Sequence, residues 1–133
     1  MTNPVEFIVY GEPASKANQR RLVTNRATGK TMFIKSSKAL GYEKDFALQC
    51  PQINPPIDQD CKVSMTIYYA SRRPDLDESV VLDCMQSVRK KQNNKMVVTR
   101  NNVYLNDRQV KEKHIKWGLD PANPRCEIKV ELL

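Results

Sequence analysis

The sequence predicts an α+β domain: a small mixed or antiparallel sheet covered by two helices. Three observations carry that expectation. KVSMTIYYA (62–70) and RCEIKVELL (125–133) alternate apolar and polar residues, the signature of half-buried strands. Residues 37–50 instead repeat apolar side chains at helical spacing, through Ala39, Tyr42, Phe46 and Cys50. The two patterns are interleaved along 133 residues, the length of a single domain spanning 1–133, with no internal repeat or low-complexity tract to divide it. A chain of this length buries a core without staples.

Taken in order, EFIVY (6–10) reads as a first strand ended by Gly11 and Pro13. The segment from Ser15 to Lys38 holds Lys16, Arg20, Arg21, Arg26, Lys30, Lys35 and Lys38 and no acid. TMFIKS (31–36) inside it has the make-up of a short strand. Such a run is either a solvated loop or an arm that tracks phosphates. The helix over 37–50 follows, then PQINPPIDQD (51–60), a turn and loop by its prolines. In the strand after it, Val63, Met65, Ile67 and Tyr69 share one face and Ser64 and Thr66 the other. From Asp77 to about Lys90 the set Val81, Cys84, Met85 and Val88 fits one helix face, with Ser79, Asp83, Gln86 and Lys90 off it. RKKQNNKMVVTRNN (89–102) is a basic excursion around a short apolar MVV. VYLNDRQ (103–109) reads as an extended piece and a turn. VKEKHIKWGL (110–119) and RCEIKVELL are closing strands joined by DPANP.

The chain is 40% hydrophobic and 28% charged, with a net charge of +7, a balance that suits a polyanionic partner such as nucleic acid. No apolar run approaches the ~18–20 residues of a membrane span. The opening MTNPVEFIVYGEP lacks a charged start followed by a long apolar stretch, so no secretory signal is expected. Cys50, Cys61, Cys84 and Cys126 are scattered and form no C-x-x-C pair, as expected of reduced, mostly buried thiols in a cytosolic protein. With His114 the one histidine, a His-rich metal site or a His–Cys hydrolase is not expected. His114 itself reads as a strand residue without chemical duty, and Trp117 as core or edge.

Chemistry concentrates in SRRPDLDESVVLDCMQ (71–86). Asp75 and Asp77 lie at a strand-to-helix junction behind Arg72 and Arg73. Residues i and i+2 of an extended segment point the same way, so both carboxylates could aim at one magnesium ion, which takes oxygen ligands. Asp107, in YLNDRQV, is the candidate third acid. An ion held this way activates water and neutralises charge on a phosphodiester. The plainer alternative stays open: Asp75-Leu76-Asp77-Glu78 has the form of a helix capping box, acids in a first turn suit the helix dipole, and Asn106-Asp107 suits a simple turn.

RRPDLD, a following helix with VLD, then VYLNDRQV and a charge-alternating last strand resemble the RusA family of Holliday junction resolvases. FIVYGEPASKANQRR is similar to that family's start. The likeness runs over nearly the whole chain, with D-L-D and N-D-R-Q-V its most specific parts. It implies a small homodimeric endonuclease of the bacterial cytoplasm, often carried by phages and prophages, that cuts branched double-stranded DNA with magnesium, or manganese in its place. It further implies Asp75, Asp77 and Asp107 as metal-binding catalytic residues. Lys16, Arg20, Arg21, Arg72, Arg73 and Arg108 are the expected DNA contacts. Three departures stand out. Asn106 replaces an acid common in the later motif. The family's helix lysine is missing at its usual place: counting straight along puts Val81 there, and aligning VLD with the family's helix instead implies a two-residue deletion that removes it; Arg108, Lys111 and Arg73 are the available substitutes. The 89–102 segment is longer than in compact members. The lost lysine motivates a rival expectation, a catalytically impaired module that binds junctions.

Overall fold

A computed structural model describes residues 4–14 and 20–133; of Arg20 the backbone alone is described. Its centre is a four-stranded sheet in the order β1-β8-β4-β7. The strands are β1 (Val5–Tyr10), β4 (Cys61–Tyr69), β7 (Val110–Leu119) and β8 (Arg125–Leu132). β8 lies antiparallel to both β1 and β4, whereas β7 runs parallel to β4, so the sheet is mixed and mainly antiparallel. The alternation read in the sequence is the alternation of burial. Cys61, Val63, Met65, Ile67 and Tyr69 of β4 face inward beside Cys126, Ile128 and Val130 of β8.

Helix α1 (Ser37–Gln49) covers the inner face through Ala39, Tyr42 and Phe46, and its first turn is capped by Ser36, whose side chain accepts from the Ala39 amide. Phe46 also meets Phe7 of β1 edge to face, with ring centroids 6.3 Å apart. The second helix, α2, is shorter than its apolar spacing predicts: it spans Ser79–Cys84 rather than Asp77 to about Lys90. Of that stripe Val81 and Met85 enter the core, Cys84 is half-buried and Val88 is exposed; Val80, outside the stripe, is buried as well. The cause is tertiary. Ser87 donates its amide to the Tyr104 carbonyl at 2.8 Å, and Val103 and Tyr104 donate theirs to the Met85 carbonyl. The chain is thereby drawn into extended pairing after one and a half turns.

Two hairpins stand apart from the central sheet. β2 (Arg20–Thr24) pairs with β3 (Thr31–Lys35), so most of the expected basic loop is an antiparallel ribbon. β5 (Val88–Gln92) pairs with β6 (Lys95–Arg100) across an Asn93-Asn94 turn, both residues at positive φ (50° and 63°). That is the backbone of a tight hairpin turn matched to strand twist, and asparagine is among the few residues that accept it. The proline loop is anchored by Ile57, which is buried and exchanges backbone bonds with Val103 and Leu105.

Candidate functional site

The junction 70–78 is held by two aromatic side chains from the sheet. The Tyr69 hydroxyl donates to the Asp75 carbonyl and accepts from the Asp77 amide, both at 3.2 Å. Trp117 stacks on Tyr69 with centroids 5.9 Å apart and donates its indole N–H to the Pro74 carbonyl at 3.1 Å. Trp117 is thus half-buried structure, as expected, and exposed His114 merely contacts Glu112. Glu12, at the end of β1, closes the same corner by accepting from the Ala70 amide at 2.7 Å.

That anchoring separates the two acids expected to act together. Residues 74–78 belong to no strand, so the i, i+2 rule for extended chain does not govern them. Asp77 is turned inward, 8% exposed, and its Oδ1 accepts from both the amide and the hydroxyl of Ser79, at 3.0 and 2.7 Å. Asp75 is exposed. The capping box is not formed: Glu78 is the N-cap of α2 and its side chain makes no cap bond, while Asp77, one residue before it, bonds Ser79 locally. Glu78, the other half of the supposed box, pairs with Lys113 at 2.8 Å instead.

Asp107 lies beyond the opposite end of α2. It begins a single 3-10 turn, Asp107–Gln109, capped reciprocally: Asn106 accepts from the Arg108 amide and Gln109 accepts from the Asn106 amide, each at 2.8 Å. Gln109 also donates to the carbonyls of Ile57 and Gln59, and Gln86 accepts from the Asp107 amide. Asn106 and Gln109 of the N-D-R-Q motif thus build the turn. The motif leaves the half-buried Asp107 carboxylate beside that of Asp83, an exposed acid off the apolar stripe of α2, whose carboxyl is partly covered by this contact. Burial, then a shared hydrogen bond and the charge of Asp107, push the Asp83 carboxyl above the usual range, and Lys35 opposes the shift. Among the described residues no cation bridges either acid.

The expected triad therefore does not gather: among the described residues no three His, Cys, Asp or Glu side chains converge as a metal cluster. What meets is Asp83 with Asp107. A hard divalent ion is satisfied by one or two carboxylates with water and phosphate oxygens, so this pair fits magnesium by its donor chemistry, and Asp75 does not join it. Asp83 lies in the VLD segment of the resemblance, 24 residues before Asp107, and meets it only after folding.

Of the expected DNA contacts, Lys16 lies outside the described residues, as does the Arg20 side chain. Arg21, Arg72, Arg73 and Arg108 are all exposed and form no ion pair among the described residues. Lys111, a possible stand-in for the missing helix lysine, is exposed on β7. The thiols are free; Cys50, Cys61 and Cys126 are buried, and burial holds the Cys61 and Cys126 thiols up at about 11 and those of Cys50 and Cys84 at about 12. No helix among the described residues is long and apolar enough to cross a membrane. No protein-family model matches the chain, and no curated protein shows significant similarity to it.

Proposed function

We propose that the protein is a RusA-like, magnesium-dependent endodeoxyribonuclease that cuts branched DNA, four-way junctions above all, in the bacterial cytoplasm. The observation that carries this reading is the Asp83–Asp107 pair. Two carboxylates are held side by side, without a bridging cation among the described residues, in a chain of net charge +7. Like charges so placed share a proton or take up a cation. Asp107 and Asp83 would hold magnesium, which when bound neutralises phosphodiester charge and acidifies a water. Arg108, on the same turn as Asp107, and the exposed Arg72 and Arg73 offer phosphate contacts that position the strand. A homodimer suits the task, because a junction has approximate two-fold symmetry and resolving it takes two opposed cuts.

Asp107→Asn is expected to reduce magnesium-dependent nicking of a four-way junction by on the order of 100-fold or more, while junction binding in calcium persists. Nicking at the wild-type rate would remove Asp107 from the chemistry. A second reading, a catalytically impaired module that binds junctions, is favoured by the engagement of Asp77 with Ser79 and the outward position of Asp75. Tight junction binding with no nicking by the unaltered protein in magnesium or manganese would establish it.

A further inference from the structure

The β5–β6 ribbon has a charge pattern that lying against the protein does not explain. Residues 88–102 contain Arg89, Lys90, Lys91, Lys95 and Arg100 and no acid. The ribbon pairs with no other strand, and residues 88–99 are all exposed. A ribbon packed on its own domain shows one apolar face and one polar face. Here the register puts Arg89 opposite Val98, Lys90 opposite Val97, Lys91 opposite Met96 and Gln92 opposite Lys95. Directly opposed side chains share a face, and successive pairs alternate. Arg89 and Lys91 therefore project from one face with Val98 and Met96, while Lys90 and Lys95 project from the other with Val97. Both faces are cationic, and both carry aliphatic side chains; Met96 is 62% exposed.

The base of the ribbon is fixed. Asn102 is buried, receives the amide bond it needs by donating to the Ser87 hydroxyl at 3.0 Å, and gives its side-chain amide to the Gln86 carbonyl at 2.9 Å. Arg100 reaches across to the Ala47 carbonyl near the end of α1. A stalk rooted in the core thus presents an isolated two-stranded ribbon, an element marginal in water on its own.

The geometry points to this ribbon as a groove reader: it enters the major groove of B-form DNA, with cations facing both sugar–phosphate walls and Asn93 and Asn94 leading. The inference rests on the reading of the protein as one that binds DNA. Two strands lie about 4.8 Å apart and extend roughly 17–20 Å, and the major groove, about 12 Å wide, admits such a ribbon. Counter-charge is then available on both sides at once, which a flat anionic surface would supply on one side only. Met96, Val97 and Val98 can meet thymine methyl groups, and amides such as those of Asn93 and Asn94 can read base edges. Duplex RNA does not fit, because its major groove is deep and narrow.

Anisotropy titrations across a salt series test this, using labelled 30-base-pair DNA, the same DNA with its major groove filled by glucosylated hydroxymethylcytosine, and an RNA duplex of matching sequence. The wild-type protein should prefer open-groove DNA to both other duplexes by about tenfold or more. The R89Q/K90Q/K91Q variant, whose altered side chains are all in solvent, should lose that preference, and its log–log salt slope should become shallower by about 2–3. Wild-type-like affinity of the variant, or indifference of the unaltered protein to groove filling or to RNA, overturns the ribbon's role while leaving DNA binding intact. Failure of the unaltered protein to bind any duplex or junction at low salt overturns the DNA reading itself, and this inference with it.

Discussion

The outer face of the central sheet and the segments outside that sheet treat charge in contrary ways. On the outer face unlike charges are neighbours. Arg125 bonds Asp120 and Glu127 at 2.7 and 2.9 Å and lies 4.0 Å over the Tyr68 ring; Lys62 and His114 both meet Glu112; Lys129 stands between Glu6 and Glu131. The Arg125 guanidinium accordingly holds the Asp120 carboxyl below its usual range, and His114 with Lys62 does the same for Glu112. Elsewhere like stands beside like: Arg89-Lys90-Lys91 on one hairpin, Arg21 with Arg26 and Lys30 on the other, Arg72-Arg73 before the junction, and Asp83 against Asp107. A surface that neutralises itself asks nothing of a partner. Cations without paired acids attract a polyanion, and an acid pair without a bridging cation among the described residues attracts a cation. A phosphodiester accompanied by a divalent ion supplies both.

The contrast is broken most directly by removing charge from each region in turn. Changing Arg21, Arg26, Arg89, Lys90 and Lys91 to glutamine should weaken junction binding by on the order of 1,000-fold at low salt, since each lost phosphate contact also removes counterion release. Changing Lys62 and Lys129 on the sheet face should move it by less than about threefold, because those cations already have partners and exposed pairs contribute little. Equal losses from the two sets, read by anisotropy, would erase the distinction. A smaller effect sharpens it. Asn102→Ala should cost about 1–3 kcal/mol in urea unfolding, since it removes a buried side chain that bonds the Gln86 carbonyl and accepts from Arg100. The same variant should lose DNA affinity as the ribbon is freed from its root.

The sequence made most of the sheet readable because β1, β4 and β8 each bury one face, which forces a period of two, and α1 buries a stripe, which forces a helical one. The ribbon was hidden for the converse reason: with cations on both faces and nothing to bury, it has no amphipathic period, and Val88 continued the α2 stripe by coincidence. The Asn93-Asn94 pair was its one local signal. The acid site was legible in part. Asp107 was singled out by its motif and lies in the pair; Asp77, singled out by its place before a helix, bonds Ser79 instead. Asp83 was placed off the apolar stripe of its helix and is exposed there, and its neighbour Asp107 arrives only when the 102–109 segment packs against α2. Asp75 and Asp77 were expected to point together, and the bonds to Tyr69 and Ser79 separate them.

The acid pair gives the sharpest test through melting temperature against pH, with and without magnesium, for the wild-type protein and Asp83→Asn. A carboxyl whose folded value is raised contributes stability below its ordinary range and loses it as pH rises through the raised value. Without metal, the wild-type melting temperature should therefore fall relative to that of Asp83→Asn as pH rises through and above the ordinary carboxylate range. Magnesium should restore that difference at pH 7, do less at the acid end of the series, where protons compete with the ion for the carboxylates, and leave Asp83→Asn unmoved throughout. Identical magnesium shifts in the two proteins, or none in either, would contradict the claim that this pair is where the molecule takes up its ion.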